Sequence, residues 1–405
     1  MKIKYFLLLL GVLASCSKEE IEFKTNTTDI VSSISKKEYT LQQESYFNQK
    51  SGVFFSWADN GSNQYYYMPK LNNTSSKRID WFNGGQAYHD VNGDGYQDIL
   101  VSSSNTNDES FFQWYINSGD NKNFNSNQSL ITESTSGYTS HKFLKTDVNN
   151  DGLADFIALG VDERVLGDYS GNFTVLIGMS DKTFKVNNIP NPNRYWFHNG
   201  AAGDLNGDGN VDVIGAEFIW WGDGLGNFTQ DEFRFSPIVD APLAYEILDI
   251  NGDGLNDIII GTQTEIGTDI IVLNNGGRFD TTNQIIYLPK TNFSGIMDIE
   301  IVDIDLDGDL DIVELRQDSN NISYIFLYEN DNLNFRLNTE YFENSLDGNL
   351  LNGNFDYYGW SSFKFDDIDN DGIDDIVAEN YQDGEYNGLK NIDGIWKKVK
   401  FRFGN

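Results

Sequence analysis

Asp204-Leu205-Asn206-Gly207-Asp208-Gly209-Asn210-Val211-Asp212, running straight into Val213-Ile214-Gly215-Ala216, is the stretch that decides the fold. Its oxygen-bearing side chains fall at positions 1, 3, 5, 7 and 9 of a nine-residue loop, with glycine at position 6. A hard cation such as Ca²⁺ gathers about six to eight oxygen ligands, and alternating carboxylates and amides in a tight loop supply them. Glycine without a Cβ takes the sharp turn that brings the carbonyl of position 7 and the aspartate of position 9 back toward the same point.

The pattern Asp-x-Asx-x-Asp-Gly-x-x-Asp occurs six times, beginning at Asp90, Asp147, Asp204, Asp249, Asp303 and Asp367. The candidate ligands, with position 7 acting through its carbonyl, follow from that register. They are Asp90, Asn92, Asp94, Tyr96 and Asp98; Asp147, Asn149, Asp151, Leu153 and Asp155; Asp204, Asn206, Asp208, Asn210 and Asp212. The later copies add Asp249, Asn251, Asp253, Leu255 and Asp257; Asp303, Asp305, Asp307, Asp309 and Asp311; Asp367, Asp369, Asp371, Ile373 and Asp375. Asn, Asp and Gly also build turns that bind nothing. Turn propensity gives no reason to fix three mutually repelling carboxylates in every copy, whereas a divalent ion does. The expected cofactor is therefore Ca²⁺, up to six ions.

Successive motifs start 57, 57, 45, 54 and 64 residues apart. Each is preceded by a short strand pattern, as at Ala244 to Leu248, and followed by a continuous β-branched run such as Asp257-Ile258-Ile259-Ile260. Runs of that length bounded by Gly and Asp read as buried strands. A further turn rich in Asn, Asp and Gly then leads to an aromatic opening a fourth strand, at Phe124, Phe184, Phe228, Phe279, Phe335 and Trp396. Four short strands per repeat make the chain all-β and each repeat a blade of a β-propeller. A further hairpin pattern lies upstream, from Val53 to Tyr65, without an aspartate loop. Seven blades of four antiparallel strands are expected, the first degenerate; a six-bladed ring carrying an extra hairpin is the alternative.

Net charge is −34, with 62 acidic residues against 28 basic ones. Twenty of the carboxylates sit at the liganding positions, so six bound Ca²⁺ would leave about −22. Nucleic acid is excluded as a partner, because phosphate recognition runs on Lys and Arg. At the N-terminus, Lys2 and Lys4 precede an apolar run from Tyr5 to Leu13, too short to span a bilayer as a mature helix. Leu13-Ala14-Ser15-Cys16 follows, and Cys16 is the one cysteine in the chain. This resembles a lipoprotein signal, which implies cleavage after residue 15 and acylation of Cys16. The acidic Ser17-Lys18-Glu19-Glu20 is similar to the surface-export signal of Bacteroidota lipoproteins. The domain reading is a signal peptide over 1–15, a lipidated N-terminus and tether over 16–36, and the propeller over 37–405.

The motif with its β-branched run resembles the FG-GAP repeat of the integrin α propeller and the related VCBS repeats of bacterial surface proteins. That resemblance implies calcium loops on one face of the ring and ligand-binding loops commonly on the other; it does not fix an activity. Aromatics stand a few residues before several motifs: Trp81, Tyr138, Trp196, Phe293, Tyr358 and Trp360. Two readings are open for them, a rim that captures a partner or a sugar face, and packing between blades. The long spacing before the last motif marks an insertion, Glu343 to Tyr358, as a candidate contact loop. His141 and His198 each lie six residues before their first aspartate, as a polar pair on inner strands or a transition-metal site.

No Gly-x-Ser-x-Gly, His-Glu-x-x-His or phosphate-cradling loop is present. The expectation is a non-enzymatic, calcium-stabilised lipoprotein at the surface of a Gram-negative, Bacteroidota-like outer membrane, anchored through Cys16. Its partner would be an outer-membrane or surface protein, with polysaccharide as a second class and a propeller polysaccharide lyase or hydrolase as a third reading.

Overall fold

Each aspartate loop hands the chain into a strand whose first residue is the ninth-position aspartate: Asp98, Asp155, Asp212, Asp257, Asp311 and Asp375 all open strands. The computed structural model describes residues 86–338, apart from 105–109, 120–122, 128, 132–138, 162–172, 191–198, 216, 236–237, 265–267, 281, 292–294, 305–306 and 318–322. Outside that span it describes the strand backbones of 44–47, 54–59, 64–68, 70–72, 363–366, 375–378, 385–392 and 395–403.

Four strands precede the first set of four: β1 (Glu44–Phe47), β2 (Phe54–Asp59), β3 (Gln64–Met68) and β4 (Lys70–Asn72). The rest come in fours. The first two sets are β5 (Gln86–His89), β6 (Asp98–Ser104), β7 (Ser110–Asn117), β8 (Asn123–Asn127), then β9 (Thr139–Thr146), β10 (Asp155–Val161), β11 (Phe173–Gly178) and β12 (Phe184–Ile189). The next two are β13 (Gly200–Gly203), β14 (Asp212–Gly215), β15 (Phe218–Gly222), β16 (Phe228–Arg234), then β17 (Pro242–Leu248), β18 (Asp257–Thr262), β19 (Ile270–Val272) and β20 (Ile285–Tyr287). The last two are β21 (Ile296–Val302), β22 (Asp311–Gln317), β23 (Ser323–Asp331), β24 (Asn334–Asn338), then β25 (Phe363–Asp366), β26 (Asp375–Ala378), β27 (Glu385–Ile392) and β28 (Ile395–Phe403). Every set is an antiparallel meander, and no helix occurs among the described residues. The first strands of consecutive sets are neighbours, β5 beside β9, then β13, β17, β21 and β25. This is a propeller-like all-β architecture.

The continuous apolar runs are explained by burial on both faces. In β18, Ile258 and Ile260 pack with Ile214 and Ile219 of the sheet before, while Ile259 packs with Ile299, Ile312 and Tyr328 of the sheet after. Successive side chains of a strand point to opposite faces, so a strand covered on both sides has no polar position to alternate with. The same holds two sheets earlier, where Ile157 faces one cluster and Phe156 and Ala158 the other. The hydrophobic core is thus a series of layers between consecutive sheets. Trp114, Phe156 and Phe184 fill one layer, with Trp114 stacked on Phe184 at 5.4 Å and edge-on to Phe156 at 5.4 Å.

Two sequence expectations need correction. The upstream hairpin exists as β2 and β3, but it makes no seventh sheet. Among the described residues there are six sheets, the count of the alternative arrangement. The hairpin, with β1, extends the last sheet, because β3 pairs in parallel with β28; β4 likewise pairs in parallel with β8 of the first sheet. The outermost strand of a sheet carries unpaired backbone groups, and the N-terminal strands cover two such edges. The second correction concerns Phe279, which precedes its fourth strand by several residues instead of opening it. There Asn283 donates to the carbonyls of Leu273 and Arg278, and an Asx-stapled loop takes the place of strand pairing.

Candidate metal centres

The five aspartate loops within residues 86–338 share one hydrogen-bond scheme. The position-1 carboxylate folds back over the loop backbone. Asp90 accepts from the N–H groups of Gly93, Asp94 and Gly95 at 2.7, 3.0 and 2.8 Å. Asp204 accepts from Gly207 and Gly209 at 2.7 and 2.9 Å, Asp249 from Asp253 and Gly254 at 3.0 and 2.8 Å. Asp147 and Asp303 do the same for Asp151 and Gly152, and for Asp307 and Gly308. The position-3 amide oxygen takes the N–H of position 5, at 2.8 Å in the first loop and 2.9 Å in the third. The position-5 carboxylate takes the N–H of position 7, from 2.8 to 2.9 Å in all five loops. Glycine at position 6 has φ from +81° to +100° in these five loops, the left-handed region that a Cβ disfavours.

Position 9 behaves differently. Asp98, Asp155, Asp212 and Asp257 are fully buried, and Asp311 is almost so. One oxygen accepts from the N–H of position 2 in the same loop, and the other from a residue ending the third strand. For Asp212 these donors are Leu205 at 2.9 Å and Gly222 at 2.9 Å; for Asp155 they are Val148 and Gly178 at 2.8 and 2.7 Å. Asp98, Asp257 and Asp311 repeat the scheme with Asn117, Asn274 and Asn330. Burial pushes the carboxyls of Asp98, Asp155, Asp212 and Asp257 up to about 6, against the pull of the two backbone donors. This aspartate clips the loop to its own sheet. A carboxylate oxygen holding one N–H keeps a second lone pair, so the clip and metal ligation are compatible.

Among the described residues no three His, Cys, Asp or Glu side chains converge closely enough to hold a metal by themselves. The loop set instead joins exposed carboxylates to an amide oxygen and a backbone carbonyl. All of these are hard oxygens, and the donor chemistry fits calcium or magnesium rather than a softer metal. The candidate ligands within 86–338, apart from Asp305, lie in the loops between the first and second strands of each set, with the ninth-position aspartates opening the second strands. Asp305 and the sixth loop's Asp367, Asp369, Asp371 and Ile373 lie outside the described residues, as do Cys16 and the rim candidates Trp81, Tyr138, Trp196, Phe293, Tyr358 and Trp360. His198, the 343–358 insertion and the signal and tether over 1–36 also lie outside them.

The loops are tied to neighbouring sheets in ways the repeat pattern does not reveal. Lys182, in the turn after β11, donates to the Asn92 carbonyl of the first loop. Asn150 of the second loop donates to Asn210 Oδ1 of the third at 3.2 Å. Asn256 and Asn274 donate to the carbonyls of Asp204 and Leu205 at 2.9 and 2.8 Å.

Two further polar clusters also escaped sequence reasoning. Lys142 on β9 donates to Asn199 and Glu246, each at 3.1 Å, and Asn199 donates to Asp298 on β21 at 3.2 Å. Burial alone would lower the Lys142 ammonium, but the carboxylates of Glu246, Asp298 and Glu300 outweigh it and hold it above the ordinary lysine value. Between the fourth and fifth sheets, buried Arg316 donates to Glu314 at 2.7 Å, to Asp269 and to the Thr262 carbonyl, and Tyr328 donates to Glu314 at 3.2 Å. Burial pushes Glu314 up to about 7, with Asp269 raising it further and Arg316 opposing. Both clusters depend on which sheets meet, a relation that no local motif records.

Comparison with known proteins follows the same lines. No curated protein matches the chain. The chain is similar to the crystal structure of the V. cholerae biofilm matrix protein Bap1, at 17% identity and a TM-score of 0.38, over 63% of this chain and 38% of that one. It thus spans well under half of that protein's length. It is also similar to putative 6-phosphogluconolactonases of Bacteroides fragilis and Bacteroides uniformis, at 11% and 12% identity and TM-scores of 0.48. Those matches cover 89% of this chain and 94% and 95% of theirs. The loop-and-sheet units described above match the FG-GAP-like repeat, which the chain carries over residues 90–158, 147–215 and 249–314.

Proposed function

We propose that the chain is a calcium-stabilised, non-enzymatic surface lipoprotein whose propeller-like body holds a protein partner. The observation that carries the calcium reading is the common scheme of the loops. Backbone N–H groups already hold the position-1 and position-5 carboxylates and the position-3 amide in place, so a cation would meet a preorganised oxygen set. Asp204, Asn206, Asp208, the Asn210 carbonyl and Asp212 would hold it in the third loop, and the equivalent residues in the other five. The ion supplies no reaction chemistry; it crosslinks the loop and offsets the repulsion of its carboxylates.

The FG-GAP-like repeats favour a repeat protein with a binding role over an enzyme. The buried ionisable groups fit that reading, since Glu314, Arg316 and Asp269 are engaged with one another inside an inter-sheet layer. The lipoprotein signal ending at Cys16 supports an outer-membrane, surface-exposed location, with the partner a protein of the same surface.

Calorimetric titration of the calcium-stripped chain tests the metal reading. Up to six ions are expected, and Asp208→Ala should remove one of them; no heat of binding would overturn it. Palmitate labelling of cells expressing the chain tests the anchor, with label expected on the natural sequence and lost in Cys16→Ala.

A further inference from the structure

Among the described residues, five of the six exposed large apolar side chains lie at the end of the sheets that carries the aspartate loops: Tyr96, Leu153, Met179, Leu225 and Leu310. Met179 directly follows Gly178, which donates to Asp155; Leu225 sits in the turn after Gly222, which donates to Asp212. The sixth, Tyr287, ends outer strand β20.

Four of the five belong to the first three sheets, whose loops interlock. Lys182 reaches the first loop, and Asn150 joins the second to the third. A Cβ at Gly224, next to Leu225, would meet Asn210 Oδ1 at 2.3 Å. Tyr96, Leu153, Met179 and Leu225 therefore share one continuous loop surface.

Loop construction does not call for apolar side chains there. Position 7 gives its N–H to the position-5 aspartate, and its side chain varies between copies: Asn210 of the third and Asp309 of the fifth accept from Asn150 and from the N–H of Asn332, where the first two copies carry Tyr96 and Leu153. Leu225 is 71% exposed, so its side chain is open to contact by a partner. Each of the four also stands two residues from an exposed carboxylate: Asp94, Asp151, Asp181 and Asp223. With calcium bound, three aspartates against one divalent ion still leave each of these loops negative. Lys182, which donates to the Asn92 carbonyl, adds one positive charge among these carboxylates.

We propose that the loop face of the first three sheets is a docking surface for a protein partner presenting a basic segment with interleaved apolar side chains. Apolar contacts from Tyr96, Leu153, Met179 and Leu225 supply the buried centre of such an interface, and the carboxylates between them select positive charge over negative. An anionic membrane is disfavoured by the same carboxylates. The proposal rests on the partner-binding reading above and adds the face and the partner's chemistry; it reverses the sequence expectation that docking belongs to the opposite face.

The test is fluorescence anisotropy of a labelled peptide alternating Lys and Leu, added to the full chain in calcium and in EGTA, beside a Lys/Ser peptide of equal charge. Tighter binding of the Lys/Leu peptide is expected, weakened about tenfold or more in the Tyr96→Ser, Leu153→Ser, Leu225→Ser triple variant and unchanged in Tyr287→Ser. Met179→Ser alone gives a second, milder loss, and unchanged melting curves certify that the variants fold. Equal binding by the triple variant, equal affinity for the two peptides, or preference for phosphatidylglycerol vesicles over the Lys/Leu peptide would overturn it. Calcium dependence of the melting curve is a separate readout, so failure of the peptide arm leaves the metal reading standing.

Discussion

Lys142 Nζ lies 3.1 Å from Glu246 Oε1 although 104 residues separate them in the chain. The contact passes over the intervening inner strand β13, whose sequence is Gly200-Ala201-Ala202-Gly203. Small residues there leave room for side chains from the sheets on either side to meet. A Cβ at Gly200 would come within 2.5 Å of the Ile214 carbonyl oxygen, so that strand admits nothing larger at its start.

Lys142→Met should therefore destabilise the fold, because it removes the ammonium that Glu246, Asp298 and Glu300 hold above its ordinary value. Both partners of the ion pair are about a quarter exposed, so the loss is expected at about 1–3 kcal/mol, below that of a fully buried pair. Glu246→Gln should cost less, since two carboxylates remain near the ammonium. Urea denaturation of the two variants orders them; a harmless Lys142→Met would contradict the role given to this contact.

The two kinds of loop aspartate should separate by mutation. Asp212→Ala strips acceptors from the N–H groups of Leu205 and Gly222 and should cost about 2–4 kcal/mol already in EGTA, with the calcium increment of its loop lost on top. Asp208→Ala exposes its lost partners to water and should be mild in EGTA, its cost emerging only when calcium is added. Equal costs for the two variants in EGTA would argue against a clip distinct from the ligand set.

Glu314 should give stability a pH dependence. Its carboxyl holds its proton up to about 7 in the folded chain, against an ordinary 4.5. Between those values the folded state binds more protons than the unfolded one, so stability falls as pH rises through the window. Glu314→Gln removes that slope while keeping an oxygen for Arg316 and Tyr328. Denaturation midpoints should show the variant gaining on the natural sequence from pH 5 to pH 8, and a constant difference across that range would refute the assignment.

Gly277 and Gly276 offer a matched pair. Both have positive φ, +79° and +68°, so alanine at either carries backbone strain of about 1–2 kcal/mol. A Cβ at Gly277 would also strike Asn206 of the neighbouring loop, 2.7 Å from its carbonyl oxygen, whereas one at Gly276 meets nothing within 4 Å. Thermal unfolding should rank Gly277→Ala clearly below Gly276→Ala; equal melting temperatures would mean that this inter-sheet contact gives way.

The repeat, the strand after each motif and the all-β class were legible because they are local. Asp257-Ile258-Ile259-Ile260 announces a strand buried on both faces, and the spacing of Asp, Asn and Gly announces the loop before it. What was not legible depends on partners distant in the chain. Val53 to Tyr65 reads as a hairpin, but nothing within it says that β3 will join β28 instead of building a sheet. The position-9 aspartates look like ligands in the motif, and only the ends of the third strands, at Asn117, Gly178, Gly222, Asn274 and Asn330, reveal the second partner. Glu314 and Arg316 are two residues apart in the sequence, yet Asp269 and Thr262, which complete their cluster, come from the preceding sheet.

Calcium-dependent stability is the central claim, and the melting temperature of the full chain in EGTA and in excess calcium measures it most directly. With extracellular-type dissociation constants of about 10⁻⁴–10⁻³ M, calcium at about 10 mM should add about 1.4–2.7 kcal/mol for each occupied loop. Several loops acting together should raise the melting temperature by many degrees. Superimposable curves in calcium and EGTA would contradict the account.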